Sequence, residues 1–190
     1  MPSPASTTIP PQIKIRALIA SDVTNFRDLR LRALKETPTA FSSNYEREAA
    51  LPQAHFLSRI EPQDGPDNRL FGAFDTLDAT NTKLVGMLSF TRENNYKRAH
   101  IGNLWSMYVA PEYRGQHISS ALLDTAIIHA QNLSLHQVLL SVNAENTTAR
   151  QLYTSRGFER YGLEPDALFV DGHYYAEEFM IKKLNRTNSP

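Results

Sequence analysis

The sequence predicts an α/β protein in which one mixed sheet is covered by helices on both faces. Short apolar runs typical of strands alternate with segments whose apolar residues recur at helical spacing. Their order is strand, two helices, three strands, helix, strand, helix and two strands, which is neither a repeat array nor a series of uniform βα units. A length of 190 residues suits one such domain and would crowd two.

The first third of the chain contains one predicted strand and two predicted helices. Alternating apolar and charged residues over 13–17 predict the strand, and helical spacing from Ser21 onward predicts the first helix, with Ser21 or Asp22 as its N-cap. A polar and aromatic connection over 41–47 separates it from the second helix. That helix is predicted over about 50–60.

The rest of the chain is dominated by strands. The predicted strands cover 70–74, 84–90, 103–109, 138–142, 158–163 and 174–184, and the predicted helices cover 119–132 and 146–156. A polar connection makes the first two of these strands an antiparallel hairpin. Gly157 is predicted to end the last helix in the left-handed conformation. The last two strands are predicted to flank a turn region over 165–172.

The composition excludes several classes of function. The chain has no cysteine, so a disulfide framework, a thiolate zinc site and a cysteine nucleophile are ruled out. Lys plus Arg and Asp plus Glu number 20 each, which gives no overall electrostatic reason to bind nucleic acid or an anionic membrane. No apolar stretch approaches the ~20 residues that span a bilayer. We therefore expect a cytoplasmic protein with no nucleic-acid partner and no membrane partner.

The two ends differ in composition from the rest. Residues 1–12 contain no charged side chain and four prolines, and they lack the basic start and apolar core of a secretory signal. We expect residues 1–12 to be a disordered tail, residues 13–184 to be a single domain and residues 185–190 to be a free C-terminal end.

The turn between a strand and a helix within residues 107–123 is the most informative segment. The N-terminus of a helix binds anions through its unpaired amides and its dipole, and Arg114 adds a charge that suits phosphate oxygens. An ordinary turn with a solvent-exposed arginine fits these residues equally well.

This segment resembles the acyl-CoA-binding signature of the GNAT superfamily. In that signature Arg or Gln, two residues, Gly, one residue, and Gly or Ala surround the pyrophosphate of the coenzyme. The matching residues are Val109, Pro111, Arg114, Gly115, Gln116 and Ile118. His117 and Ser119 stand where the family has Gly and Gly or Ala. Because glycine permits dihedral angles that other residues tolerate less well, we expect His117 to weaken or reshape the phosphate grip without abolishing it.

A second match follows at the spacing that the family shows. Asn143 ends a predicted strand, and Asn146, Ala149 and Tyr153, followed by Gly157 and Phe158, resemble the family's pattern of Asn, two residues, Ala, three residues and Tyr. Taken singly, Asn146 could be a plain helix cap and Tyr153 a plain core residue. Their joint spacing after the first motif favours the functional interpretation.

The resemblance implies a GNAT-like fold with a central, mostly antiparallel sheet and an N-acetyltransferase that uses acetyl-CoA as acyl donor. The acetyl group would pass to a primary amine of a small molecule or peptide by direct attack in a ternary complex. By this resemblance Tyr153 protonates the departing thiolate and the amide of Val109 stabilises the oxyanion. The coenzyme-binding residues that it implies are Met107, Val109, Arg114, Gly115, Gln116, His117, Ile118, Ser119, Asn146 and Tyr153.

The base and the acceptor site are less well defined. Many relatives place a glutamate where this chain has Asn103, which cannot accept a proton. A water chain or one of several titratable residues remains, namely His100, Glu46, Glu48, His173 and Glu177. Aromatic residues in the regions that form the family's amine pocket could bind the acceptor or fill the core. The candidate acceptor-binding residues are Phe41, Tyr45, Trp105 and Tyr174.

Other enzyme classes lack their signatures in this chain. There is no Gly-Lys-Ser or Gly-Lys-Thr run of a P-loop and no Gly-x-Gly-x-x-Gly after the first strand. The six histidines include no His-x-x-x-His pair, so we expect no metal. The remaining alternative is a GNAT-fold protein that binds acyl-CoA, or acts as a sensor, without catalysis. Homodimers are frequent in the family, so a homodimer is also consistent with the resemblance.

Overall fold

The computed structural model describes residues 9–61, 67–78 and 82–184, which form one seven-stranded sheet with helices on both faces. The strands are β1 Ile13–Ala17, β2 Arg69–Asp75, β3 Lys83–Arg92, β4 Ile101–Val109, β5 Gln137–Asn143, β6 Glu159–Val170 and β7 His173–Lys183. The α-helices are α1 Val23–Glu36, α2 Tyr45–Ala49, α3 Gln53–Ile60, α4 Ile118–Asn132 and α5 Thr147–Ser155. The predicted free end at 185–190 and the predicted tail up to Thr8 lie outside the described residues.

The sheet is mostly antiparallel, which confirms the predicted fold class. Its strand order is β1-β2-β3-β4-β5-β7-β6, and neighbouring strands are antiparallel except for β4 and β5. In the described part of the chain these two parallel strands share three residue pairs, which join 101–103 of β4 to 137–139 of β5. Beyond those pairs the strands separate and leave a wedge-shaped opening in the middle of the sheet.

A bulge in β4 lies at the start of this opening. Between the pairs Met87–Tyr108 and Ser89–Trp105, two residues of β4 oppose a single residue of β3. Ser106, one of the two, has a φ of 58°, in the left-handed region that non-glycine residues seldom occupy. Because a bulge bends and twists its strand, this irregularity accounts for the departure of β4 from β5.

Two hydrophobic cores cover the two faces of the sheet. One packs α1 and α3 against the sheet and includes the edge-to-face pair of Phe26 and Phe56, whose ring centroids are 6.1 Å apart. The other packs α4 against the opposite face through fully buried residues such as Leu122 and Leu123. Both cores reach β3, which has buried residues on both faces, so the sheet is a rigid platform for β4.

Three local expectations differ from the structure. Residues 45–47, predicted as part of a connection, belong to α2, because the Asn44 side chain accepts a hydrogen bond from the Arg47 amide and caps the helix. Asp22 does not cap α1 with its side chain, since its carboxylate binds the Ile19 amide and Arg16 instead. Residues 165–170, predicted as a turn, belong to β6, an edge strand with an irregular register, which is a position where proline is tolerated.

Gly157 follows α5 with a φ of 78°, which confirms the predicted left-handed stop. Among the described residues, no helix combines the length and the apolar character needed to cross a membrane.

Candidate active site

A cavity of about 430 Å³ lies where β4 and β5 separate. Its walls come from elements far apart in sequence: α1, the connection after it, α2, α3, β3, β4, β5, α5 and β7. Five of the coenzyme-site and acceptor-site residues expected from the sequence line it, and these are Phe41, Trp105, Met107, Asn146 and Tyr153. The volume is within the range typical of small-molecule sites.

The open edge of β4 presents the backbone of Val109 to the wedge. The Ala110 amide donates to the Val85 carbonyl at 2.9 Å, and Val109 is paired with Gly86 in the β3–β4 ladder. In an antiparallel ladder this pattern makes Val109 and Gly86 a pair that exchanges no hydrogen bonds, so the N–H and C=O of Val109 point away from β3. The Val109 amide therefore faces the side on which β5 has separated.

The turn after β4 keeps a backbone that suits an anion. Gly115 and His117 have φ values of 76° and 60°, and His117 is the N-cap of α4. His117 thus adopts the left-handed conformation expected of glycine at this position, and histidine is one of the residues that do so more often than most. The chain therefore enters α4 through a left-handed residue at position 117.

Side chains of the turn stabilise it from both ends. The Nε of Arg114 donates to the Val109 carbonyl at 3.0 Å, and the Nε2 of Gln116 donates to the Glu112 carbonyl at 3.4 Å. Ile118 is buried in the core, whereas Ser119 is half-buried at the first turn of α4. These residues lie outside the 430 Å³ cavity, so they form a separate part of the candidate site.

Asn146 and Tyr153 both belong to the α5 segment and face the cavity. The Oδ1 of Asn146 accepts a hydrogen bond of 3.0 Å from the Ala149 amide, so Asn146 is the N-cap of α5. Asn146 therefore caps α5 and also lines the cavity. Tyr153 is only 7 % exposed, and burial raises the pKa of its hydroxyl to about 12. Its hydroxyl is therefore protonated at neutral pH.

The four aromatic residues predicted for the acceptor site divide into two groups. Phe41 is buried in the cavity wall beneath the guanidinium of Arg30, and Trp105 donates from Nε1 to the Thr91 hydroxyl at 3.0 Å. Tyr45 and Tyr174 lie outside the cavity. Tyr45 packs under the ammonium of Lys35 at 3.8 Å, and Tyr174 is an exposed residue on the β6–β7 hairpin.

Of the five candidate bases, Glu48 and Glu177 line the cavity. Burial alone would raise the pKa of Glu48, but the hydrogen bonds and charge of Arg30 outweigh it and lower that pKa, so Glu48 stays ionised as the partner of an arginine. Burial raises the pKa of Glu177, and the charge of Glu164 adds to this effect against a hydrogen bond from Ser141. Glu177 is the better placed of the two to exchange a proton.

The other candidates lie elsewhere. His100 packs beside His136, His173 is bonded to the Asp171 carbonyl and Glu46 is exposed on α2. Asn103, which replaces the family's glutamate, donates from Nδ2 to Glu93 at 3.0 Å. Both side chains are partly buried, and neither lines the cavity.

Three basic cavity residues were not singled out from the sequence as functional. These are Arg30 on α1 and His55 and Arg59 on α3. Arg30 is buried and falls within the apolar stripe of α1. An arginine at an apolar position of an amphipathic helix is the one signal that could have identified it. Within the described ranges no group of three or more His, Cys, Asp or Glu side chains is placed to hold a metal ion.

Comparison with protein families gives a match over more than half of the chain. Residues 31–158 match the model of the acetyltransferase (GNAT) family. A 64-residue stretch is 39 % identical to mycothiol acetyltransferase of Pseudarthrobacter chlorophenolicus, which covers 34 % of this chain and 20 % of that protein. The chain thus spans about a fifth of the length of the curated relatives it matches.

Solved structures share the fold at low sequence identity. A GNAT-family acetyltransferase from Streptococcus pneumoniae superposes with a TM-score of 0.80 at 23 % identity, over 91 % of this chain and 99 % of that one. A phosphinothricin acetyltransferase from Sinorhizobium meliloti, solved in complex with acetyl-CoA, superposes with a TM-score of 0.78 at 18 % identity, over 93 % and 91 % of the two chains. At these identities the likeness concerns the fold.

Proposed function

We propose that this chain, which belongs to the acetyltransferase (GNAT) family, transfers the acetyl group of acetyl-CoA to a primary amine. The amine would attack the thioester directly in a ternary complex. The observation that carries the proposal is the cavity at the β4–β5 opening, which brings together a buried tyrosine, Tyr153, and a glutamate, Glu177, whose pKa values are both raised. Groups whose pKa values are shifted by burial within a cleft are typical of acid–base catalysis.

The residues present suit acetyl-CoA as the donor. The turn at 114–119 offers the amides of a helix N-terminus to the phosphates, with His117 in the backbone conformation of glycine. The unpaired edge of β4, which includes Met107 and Val109, would pair with the extended arm of the coenzyme as an added strand does. The Nδ2 of Asn146 would donate a hydrogen bond to the same arm. Bound there, acetyl-CoA supplies the acetyl thioester.

Val109 would act through its backbone. Its N–H points away from β3 into the wedge, where it would donate a hydrogen bond to the acetyl oxygen. The Arg114 hydrogen bond to the Val109 carbonyl holds that peptide in place. A fixed donor of this kind needs no reorganisation as negative charge grows on the oxygen.

Tyr153 would provide a proton to the sulfur that leaves. With a pKa of about 12, its hydroxyl is protonated throughout the physiological range. A thiol has an ordinary pKa near 8.5. The conjugate thiol is therefore the stronger acid, so proton transfer from Tyr153 to a free thiolate is unfavourable. Protonation of sulfur would be most favourable when it is concerted with cleavage of the carbon–sulfur bond.

Glu177 would accept the proton that the amine loses. Glu177 lines the cavity from β7, next to Asn143 of β5. A raised pKa makes it a stronger base than an exposed carboxylate. The mycothiol acetyltransferase that shares a 64-residue stretch with this chain is named for a small molecule, and this name supports a small-molecule amine.

Calorimetric titration with acetyl-CoA tests the donor site without knowledge of the amine. Micromolar binding, followed by amine-dependent release of CoA thiol, would support the transferase. Binding without thiol release for any amine class would favour the alternative of a non-catalytic acyl-CoA sensor, and no binding at millimolar concentration would contradict both. The cytoplasmic location and the homodimer stay predictions, which cell fractionation and analytical ultracentrifugation would test.

A further inference from the structure

A cluster of three charged side chains forms the cavity wall on the side of α1, α2 and α3. Arg30 binds Glu48 through two hydrogen bonds, of 2.9 Å from Nε to Oε2 and 2.6 Å from Nη2 to Oε1. The Nη1 of Arg59 lies 3.6 Å from the Oε2 of the same carboxylate. Two guanidinium groups thus share one carboxylate, and the cluster carries an excess positive charge.

This excess is held in a buried place. The side chains of Arg30 and Glu48 are 5 % and 6 % exposed, and that of Arg59 is 26 % exposed. Burial and the charge of Arg30 together lower the pKa of Arg59 to about 10, and Glu48 only partly offsets them. A buried ion pair that served packing alone would be complete with one arginine, because each added buried charge has to be desolvated. The second arginine is explained if an anion completes the cluster.

Both arginines are directed at the bulge of β4. The Nη1 of Arg30 and the Nη2 of Arg59 approach the Oγ of Ser106 at 3.5 Å and 3.4 Å, which are long hydrogen bonds. Ser106 and Trp105 are cavity residues. The guanidinium groups therefore converge at the cavity surface, and Arg59, the more exposed of the two, is the one that a ligand can reach. A guanidinium matches the geometry of a carboxylate.

A further charged residue of the cavity has the opposite sign. Glu177 enters the cavity from β7, and the charge that acts on it comes from Glu164 on β6. The charges that act on Arg59 come from Arg30 and Glu48. The cavity therefore has a cationic wall at the helices and an acidic residue on β7. A ligand with an amine at one end and an anion at the other end matches this arrangement.

We infer that the acceptor is an amine that also carries a carboxylate, of the amino-acid class, and that Arg59 binds the carboxylate while the amine faces Glu177. This inference rests on the proposed function, whose amine it specifies. Arg59 is then a specificity-determining residue. The desolvation of its charge destabilises the fold, and recognition of the carboxylate explains why that charge is present.

The test compares L-amino acids with their carboxamides, which keep the amine and lose the charge. Binding is measured by calorimetry in the presence of CoA, for the wild type and for Arg59→Gln. We expect the acids to bind at least about tenfold more tightly than their carboxamides, since a hydrogen-bonded charge pair is worth that much. Arg59→Gln should abolish the preference and leave carboxamide affinity and acetyl-CoA affinity unchanged within about threefold.

Arg32→Gln is the matched control, because Arg32 lies on α1 with its guanidinium in an exposed pair with Glu112. It should retain the full preference for acids. Equal affinity for acids and carboxamides, no binding of either, or an equal loss of both in Arg59→Gln would overturn the inference. Unfolding curves check that Arg59→Gln is folded. If acetyl transfer fails with every amine while the Arg59-dependent preference persists, the proposed transfer is wrong and the anion site stands.

Discussion

Arg30 and Glu48 join α1 to α2 beneath the cavity through a two-pronged ion pair. The two hydrogen bonds measure 2.9 Å and 2.6 Å, and neither side chain is more than 6 % exposed. The pair is separated by 18 residues in sequence, so it fixes the path of the chain between the two helices. The same carboxylate also restrains Arg59, which makes Glu48 the central residue of the cationic wall.

Glu48→Gln should lower the free energy of unfolding by about 3 kcal/mol or more, because Arg30 would stay buried without its counter-charge. Chemical denaturation measures the change. Glu112→Gln is the control, since it removes an exposed pair with Arg32 and should cost no more than about 1 kcal/mol. Equal losses in the two variants would show that burial adds nothing to the strength of the Arg30–Glu48 pair.

The effect of Glu48 should also depend on pH. Arg30 holds the pKa of Glu48 below its ordinary value despite burial, so the folded state binds the proton less tightly than the unfolded state. The resulting stability is complete above the unfolded pKa of about 4.3 and is lost as the pH falls through the lower folded pKa. The stability difference between wild type and Glu48→Gln should therefore be constant above about pH 5.5 and shrink below about pH 4. A difference that grew toward acid pH would contradict the direction of this shift.

Tyr153→Phe should lower kcat by about a hundredfold or more and change the affinity for acetyl-CoA by less than about threefold, because the hydroxyl is needed when sulfur leaves. Steady-state kinetics and calorimetry separate the two effects. Tyr113→Phe removes a hydroxyl that binds Asp75 at 2.8 Å, away from the cavity, and should leave kcat unchanged. An unaltered kcat in Tyr153→Phe would show that another group or water provides the proton.

Glu177→Gln should lower kcat and remove the acid limb of its pH profile. In the wild type kcat should rise with pH through a pKa above the ordinary value for glutamate, because burial raises the pKa of Glu177 and the base works only when deprotonated. Glu46→Gln, on the exposed surface of α2, should keep both kcat and its acid limb. A variant of Glu177 that kept the limb would assign the proton to another group.

His117→Gly should leave acetyl-CoA affinity within about threefold of the wild type, because His117 already has the left-handed backbone of glycine. Relief of the left-handed conformation and the added freedom of the unfolded chain oppose each other, so stability should change by less than about 1 kcal/mol. Ser134→Gly, at a φ of 54° in the α4–β5 turn, is the matched backbone control. A tenfold weaker affinity in His117→Gly alone would show that the imidazole binds a phosphate.

Local signals made much of the fold predictable. Period-two alternation marks β1 at the bounds that the structure gives it, and Gly157 marks the end of α5, because each depends on neighbours a few residues away. The turn at 114–119 and the spacing of Asn146 and Tyr153 pointed to the donor side in the same way, since each motif is continuous in sequence. The structure adds that Asn146 and Tyr153 line the cavity at the β4–β5 opening, whereas the turn at 114–119 lies outside that cavity.

The acceptor side could not be derived from local patterns. Arg30, Glu48 and Arg59 lie on three different helices, and their charges meet only after the chain has folded. The periodicity of α1 shows that position 30 faces inward but gives no information about what it faces. The β4 bulge is similarly hidden, because the left-handed φ of Ser106 follows from strand pairing and not from its residue type.

The three pairs between β4 and β5 also determine how the molecule can yield under stress. The sheet consists of two groups of strands, β1–β4 and β5–β7, which pair only through a short segment at one end of β4 and β5. The core around α4 packs behind this segment. The β4–β5 segment has fewer paired residues than any other pair of neighbouring strands in the described sheet, so its separation breaks the fewest backbone hydrogen bonds. A ligand bound in the wedge would contact both groups of strands. Its binding would therefore stabilise the folded sheet where the fewest strand pairs hold it together.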